Sequence, residues 1–202
     1  MNMKKRYLVV LFVILFFVFW LLYITGVVNN IDNIMYKFII SIKNDYVTSF
    51  MKFITFFAST YFILFLMSVF FILSFFKGKI FNIINLLIVG DVIINRGVKV
   101  IVRRERPILI NLVTEKSFSF PSGHTMVAVT LYGFIIYLIN KSNLSKKFKI
   151  ILNFGLILLI LLILISRIYL GVHYFSDVIA GLFLALAYLI FIVRVLERKN
   201  IL

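Results

Sequence analysis

The chain has 202 residues, 63% of them hydrophobic, a mean hydropathy of +1.13 and no cysteine. Soluble chains are about 45–50% apolar, so a water-soluble globule is excluded, and the absent cysteines exclude a disulfide framework and thiolate chemistry. The formal net charge of +15 sits largely in short segments between apolar runs, as membrane topology requires, so the expected partners are membrane lipids with anionic headgroups and not nucleic acid.

In chain order, the first apolar run is Tyr7–Val28, behind Lys4, Lys5 and Arg6. It is long for a cleaved signal peptide and no small-residue cleavage site follows, so it reads as a retained spanning helix. The segment 29–52 has apolar residues at mixed spacing and reads as a short interfacial helix. Further runs follow at Phe53–Phe76, Ile80–Val102, Ser122–Asn140, Ile150–Ile168 and Asp177–Leu196. Unalternating runs of about 20 residues point to helices, because backbone in lipid must satisfy its own hydrogen bonds. The predicted fold is therefore all-α, a six-transmembrane-helix bundle forming a single domain over residues 1–202.

Lys and Arg in short loops set the orientation. Lys77 and Lys79, then Lys141, Lys146, Lys147 and Lys149, then Arg194, Arg198 and Lys199 all fall on the side of the N-terminus. The expectation is a multi-pass protein of the cell membrane with both termini cytoplasmic. The loop 103–121 breaks the rule with Arg103, Arg104, Arg106 and Lys116, which invites a functional explanation on the outer side.

Three polar stretches abut that side: KVIVRRERP (99–107), PSGH (121–124) and SRIYLGVHYFSD (166–177). They hold both histidines and both prolines of the chain. In PSGH, proline suits a first helical turn, Ser122 a cap and Gly123 a close backbone approach, so His124 lies beside an anion-favouring helix start. An ordinary helix start with an interfacial histidine is the plainer reading of that stretch alone. His173 and Asp177 are four apart, and share a face if they open the last helix. A carboxylate on one ring nitrogen leaves the other free to attack; a pair that only stabilises the helix start is the alternative. Lys99 and Arg167 lie within apolar runs and call for anionic partners. Arg106 precedes Pro107, while Arg103, Arg104 and Glu105 read as solvated surface charges. Three cations, a helix start, two histidines and a carboxylate suit phosphoryl transfer, which rests on positioning and electrostatics.

The order K-x6-R-P, P-S-G-H, S-R-x5-H-x3-D resembles the type-2 phosphatidic acid phosphatase superfamily of integral membrane lipid phosphatases. The resemblance implies that Lys99, Arg106 and Arg167 bind phosphate, with Ser122 and Gly123 adding hydroxyl and backbone donors. It implies that His173 is the nucleophile forming a phosphohistidine, that Asp177 orients it, and that His124 protonates the leaving oxygen and then helps activate water. Ser166 would support the site. No cofactor and no metal are implied, and the seven acidic residues form no evident ligand cluster in sequence. The superfamily also holds vanadium haloperoxidases, which are large soluble proteins unlike this one. The chain resembles bacterial undecaprenyl pyrophosphate phosphatases first, and phosphatidylglycerophosphate phosphatases as the alternative; phosphatidic acid and lipid A phosphates are further candidates. A lipid phosphotransferase and a non-catalytic lipid-binding or transport protein are the readings from other classes. Asp91, Asn95 and Arg96 fall outside the motifs. The first two form either a stripe that holds Lys99 or interhelical hydrogen bonds.

Overall fold

The computed structural model describes residues 3–107, 112–113, 115 and 117–201, without the side chain of Lys77. Lys116, expected in the arginine-rich loop, lies outside the described residues. The described residues form eight helices: α1 Met3–Ile24, α2 Val28–Ser41, α3 Asp45–Phe56, α4 Thr60–Lys77, α5 Ile80–Val102, α6 Gly123–Lys141, α7 Lys146–Tyr169 and α8 Phe175–Arg198. The expected all-helical bundle is present, with eight helices in place of six. One of the two beyond the six spans is the short helix expected in the segment 29–52, which holds α2 and the start of α3. The second arises because the expected run 53–76 is broken at 57–59, where the Ser59 hydroxyl accepts from the Phe62 N–H and starts a new helix.

Among the described residues, five stretches are long and apolar enough to cross a membrane: Met3–Ile24, Asp45–Phe76, Gly123–Lys141, Lys146–Tyr169 and Phe175–Arg198. The remaining expected span is present as α5 with the expected bounds, but its buried face carries Asp91, Asn95 and Lys99. The exposed surfaces of α1, α4 and α7 are rows of Leu, Ile, Val and Phe, a coat suited to hydrocarbon and not to water.

The centre of the bundle is α6, which packs on α5, α7 and α8, while α1 lies along α8, α3 along α7 and α4 along α5. One core joins Ile88, Leu131, Phe134 and Ile163; a second joins Met126, Tyr169, Leu170 and Val178 closer to the polar end. Lys5 Nζ lies 2.5 Å from Glu197 Oε2, so the start of α1 and the end of α8 share one end of the bundle. At the opposite end α5 and α7 finish and α6 and α8 begin. All three motif stretches therefore converge there.

Candidate active site

Three local turns bring the motifs together. Arg103 caps α5 in the left-handed region, with φ 50° and ψ 35°, which turns the chain sharply after the helix. Gly171, at φ 71°, ends α7 in a conformation that glycine adopts without strain. It delivers His173 in the short loop before α8. Ser122 caps α6, its hydroxyl accepting from the Thr125 N–H at 3.4 Å and the Thr125 hydroxyl at 3.0 Å. The Ser122 N–H donates to the Asp177 carbonyl at 3.1 Å. A Cβ on Gly181 would sit 3.0 Å from the Ser122 carbonyl oxygen, so only glycine lets α8 approach the PSGH turn this closely.

His173 is buried between two kinds of neighbour. Its Nε2 lies 3.3 Å from Arg106 Nη1. A guanidinium only donates, so Nε2 carries the lone pair and the ring proton is on Nδ1. On that side lie Asp177 Oδ2 at 3.5 Å and the Ser119 hydroxyl at 3.4 Å. The Ser119 hydroxyl in turn donates a very short hydrogen bond to Asp177 Oδ2. Asp177 is the third residue of α8 and also accepts from the Tyr174 N–H at 2.9 Å. The pair thus meets across the helix cap and not along one helical face, since His173 precedes the helix. Burial, and then the charges of Arg106, Arg167 and Lys99, hold the His173 imidazole well below its usual value of 6.5. It is a neutral base at neutral pH.

Three cations stand around it. Lys99 Nζ donates to the Phe118 carbonyl at 2.5 Å and to Ser117 Oγ at 3.1 Å. Arg106 donates to the Ser117 and Val172 carbonyls, at 2.6 and 2.7 Å, and burial lowers its pKa from the usual value. Arg167 is fully buried; it donates to Thr55 Oγ1 and to Glu115 Oε1, both at 2.7 Å, and its Nε has no partner among the described residues. Glu115 Oε1 is also 3.9 Å from His124 Nδ1, and Oε2 is 4.0 Å from Arg106. A cleft of about 590 Å³ between the end of α5 and the loop reaches Lys99, Arg106 and Glu115, and is also lined by Arg96, Val100 and Phe118 among others.

All the motif residues therefore lie at one end of the bundle, with two placed differently in detail from the sequence expectation. The Ser122 hydroxyl is engaged in capping α6, which leaves Gly123 and His124 as the partly exposed start of the helix. Ser166 is fully buried and donates to the Ile163 carbonyl at 2.6 Å, packing α7 beside Arg167. Asp91 accepts from Thr130 at 2.7 Å, and Asn95 Nδ2 donates to the Pro121 carbonyl at 3.2 Å. These bonds join α5 to α6 and the PSGH turn; neither reaches Lys99, so they follow the interhelical reading.

Arg104 requires a correction. Expected as a solvated surface charge, it is only 5% exposed. Its Nη1 donates to Asp177 Oδ1 and Ser176 Oγ, and its Nη2 to Asp32 Oδ2, each at 2.7 Å. Its guanidinium lies 4.5 Å from the Tyr23 ring centroid and 4.1 Å from that of Tyr174, a stacked cation. Burial opposes its charge, but the Asp177 and Asp32 carboxylates outweigh this and raise its pKa. Arg103 and Glu105 are exposed as expected. Sequence reasoning missed Asp32, Ser119 and Glu115. Asp32 alone left a trace, as a carboxylate on the α2 face that also holds Val28, Tyr36 and Ile39.

The comparisons agree with this geometry. The sequence pattern of the PAP2 superfamily matches residues 79–201. The chain is 35% identical over 179 residues, 87% of each protein, to phosphatidylglycerophosphatase B of Bacillus subtilis (strain 168). It is similar, with a TM-score of 0.87 and 29% identity, to the crystal structure of a transmembrane PAP2-type phosphatidylglycerolphosphate phosphatase from Bacillus subtilis, over 95% of this chain and 97% of that one. A neutral histidine backed by a buried carboxylate and faced by three cations, in a helical membrane protein with these relatives, leaves one conclusion: the chain belongs to the PAP2 superfamily and is a membrane phosphatase acting on lipid phosphate.

Proposed function

We propose that the protein hydrolyses the terminal phosphomonoester of phosphatidylglycerophosphate through a phosphohistidine on His173, without a metal or other cofactor. The activity of the relatives supports this choice over undecaprenyl pyrophosphate, the substrate the sequence reading put first. The observation that carries the mechanism is the His173 ring, with Nε2 at 3.3 Å from Arg106 and Nδ1 turned to Asp177 at 3.5 Å. Nε2 attacks phosphorus, forming a P–N bond as the P–O bond to the lipid alcohol breaks. His124 gives its proton to the leaving oxygen. Asp177 and Ser119 hold the ring in its tautomer while it gains positive charge. Lys99, Arg106, Arg167 and the N–H groups at the start of α6, Gly123 among them, take up the charge on the phosphoryl oxygens. A water then gives its proton to His124 and attacks phosphorus, the P–N bond breaks, and inorganic phosphate leaves.

The Glu115 carboxylate lies against Arg167, Arg106 and His124, where the phosphate would bind. A phosphate must displace it. Glu115→Gln is therefore expected to tighten inhibition by inorganic phosphate or vanadate several-fold, read as a lower inhibition constant at fixed pH. Weaker inhibition in this variant would mean that Glu115 assists binding. The neutral state of His173 sets the acid limb of the pH profile. Because burial and cations depress its pKa below 6.5, the nucleophile stays deprotonated as pH falls through 6.5, and kcat/KM declines only below that. An acid midpoint above 6.5 would contradict the assignment.

The arrangement of the ends supports a site on the outer face. The termini share the end rich in Lys and Arg, opposite the motifs. A reporter fused to the C-terminus should be active only if cytoplasmic; activity of a periplasmic reporter there would reverse the orientation.

The substrate is tested by phosphate release from purified protein in detergent with EDTA, offering phosphatidylglycerophosphate, phosphatidic acid and undecaprenyl pyrophosphate separately. Phosphatidylglycerophosphate should have the highest kcat/KM. A higher value for undecaprenyl pyrophosphate would return the protein to cell-wall carrier recycling. Loss of all release in EDTA would contradict the metal-free mechanism. Phosphate transfer to an added acceptor lipid, with little release to water, would identify a phosphotransferase.

A further inference from the structure

Two cations lining the cleft, Arg96 and Arg104, have no part in the proposed chemistry, and Arg104 is already held by Asp32 and Asp177, which leaves Arg96. It sits on α5 one turn before Lys99, and it lines the same cleft as Lys99, Arg106 and Phe118. Residues three apart on a helix are neighbours, about 5–6 Å between Cβ atoms. Lys99 points into the bundle and is buried, whereas Arg96 is exposed. Its neighbours on the open face of α5 are Val92, Ile93 and Val100, all exposed and apolar. Among the described residues, Arg96 has no hydrogen-bond or ion-pair partner. A guanidinium on a lipid-facing apolar surface is costly unless it reaches an anion.

Its depth is informative. α5 runs towards the site, so Arg96 lies about 4.5 Å further from the site end than Lys99. A lipid bound with its terminal phosphate at Lys99, Arg106 and Arg167 has its tail pointing back towards the bilayer centre. Any second phosphate between the reacting group and the tail then falls on the Arg96 side. Arginine fits such a group, because its planar fork grips phosphate oxygens in pairs.

We infer that Arg96 forms a subsite for a second, non-reacting phosphate on the tail side of the substrate, so that the cleft selects lipids carrying two phosphates over lipids carrying one. The inference rests on the reading of the site as a lipid phosphatase and adds its substrate class. Two lipids share the required chemistry. In phosphatidylglycerophosphate the second group is the phosphodiester, across a glycerol; in a polyprenyl pyrophosphate it is the phosphate esterified to the polyprenyl chain. Phosphatidic acid has none and serves as the reference.

The test compares wild type, Arg96→Gln and Arg96→Lys in detergent micelles. For each, kcat/KM is measured on phosphatidylglycerophosphate, undecaprenyl pyrophosphate and phosphatidic acid. The expected result is that Arg96→Gln lowers the ratio of phosphatidylglycerophosphate to phosphatidic acid kcat/KM about ten-fold, the change that one charge-assisted hydrogen bond brings. The loss should lie mainly in KM, and Arg96→Lys should recover part of it. An unchanged ratio would overturn the inference, whether both substrates fall together or neither falls. If wild type does not turn over phosphatidylglycerophosphate, the proposed substrate fails. The subsite is then decided by the ratio of undecaprenyl pyrophosphate to phosphatidic acid. Turnover of neither two-phosphate lipid would overturn the subsite as well.

Discussion

Replacing His173 with alanine is expected to lower phosphate release by at least about a thousand-fold, because the proposed covalent route loses its nucleophile. The loss should fall on kcat, since Lys99, Arg106 and Arg167, the proposed phosphate ligands, remain in place. His173 lies in the loop between α7 and α8 and is 2% exposed, so its removal leaves a small cavity and no unpaired charge. The variant should therefore purify as a folded, substrate-binding protein. His124→Ala is the instructive companion. It leaves His173 in place but removes the proposed proton donor, so it should slow lipids with poor leaving groups far more than a phenyl phosphate with a good one. An equal loss on both would place His124 in binding instead.

The second large effect is expected at Arg104. Its guanidinium ties Asp32 in α2 to Asp177 in α8 across two 2.7 Å ion pairs. Truncating it to alanine leaves two buried carboxylates without their cation. Breaking one side of a buried pair costs about 3–5 kcal/mol, so Arg104→Ala should show a markedly lower thermal midpoint in detergent and poor recovery from membranes. Its neighbour supplies the control. Arg103 is exposed and bonds only to the Val100 carbonyl at 2.9 Å, so Arg103→Ala should change stability by no more than about 0.5 kcal/mol. Similar stability losses in the two variants would mean that the Arg104 network carries no special weight. Arg104→Lys keeps the charge but cannot serve both carboxylates with a planar fork, so it should fall between wild type and Arg104→Ala.

The contrast between Arg103 and Arg104 also shows where sequence reasoning stops. Lys99, His124, Arg167, His173 and Asp177 were legible because apolar surroundings make each polar residue conspicuous, and all of them, with Arg106 before Pro107, stand at the spacing of a known family. The bounds of α5 were legible for the same reason, with a long apolar run ended by charge and Pro107. Arg104 was not, since nothing in the run Arg103–Glu105 sets it apart from its neighbours. The choice is made by the left-handed turn at Arg103, a conformation usually signalled by glycine or asparagine, and here adopted by arginine without any such mark. Asp32 pairs with a residue 72 positions away, which no local pattern reveals. Ser119 precedes the PSGH motif by two residues and reads as loop polarity until Asp177 is seen beside it. The break between α3 and α4 had a weak signal in Ser59 as a cap, masked by apolar residues on both sides.

The reading of Asp91 and Asn95 illustrates a different limit. Their spacing placed both on the face of Lys99, and all three are buried on that face. Sequence alone left open what they meet. Asn95 meets the backbone of the PSGH turn, and a Cβ on Gly123 would sit 3.1 Å from Asn95 Oδ1. The polar stripe of α5 therefore braces the start of α6 from below.

The central claim is that His173 carries the phosphoryl group. The most direct measurement is rapid acid-free quenching of the enzyme with lipid labelled in its terminal phosphate, followed by chemical characterisation of the labelled protein. The account predicts a phosphoryl-protein bond stable to base and labile to acid, as a phosphoramidate is, located on His173 and absent from His173→Ala. Label on another residue, or a His173→Ala protein that still turns over lipid phosphate at a rate close to wild type, would contradict it.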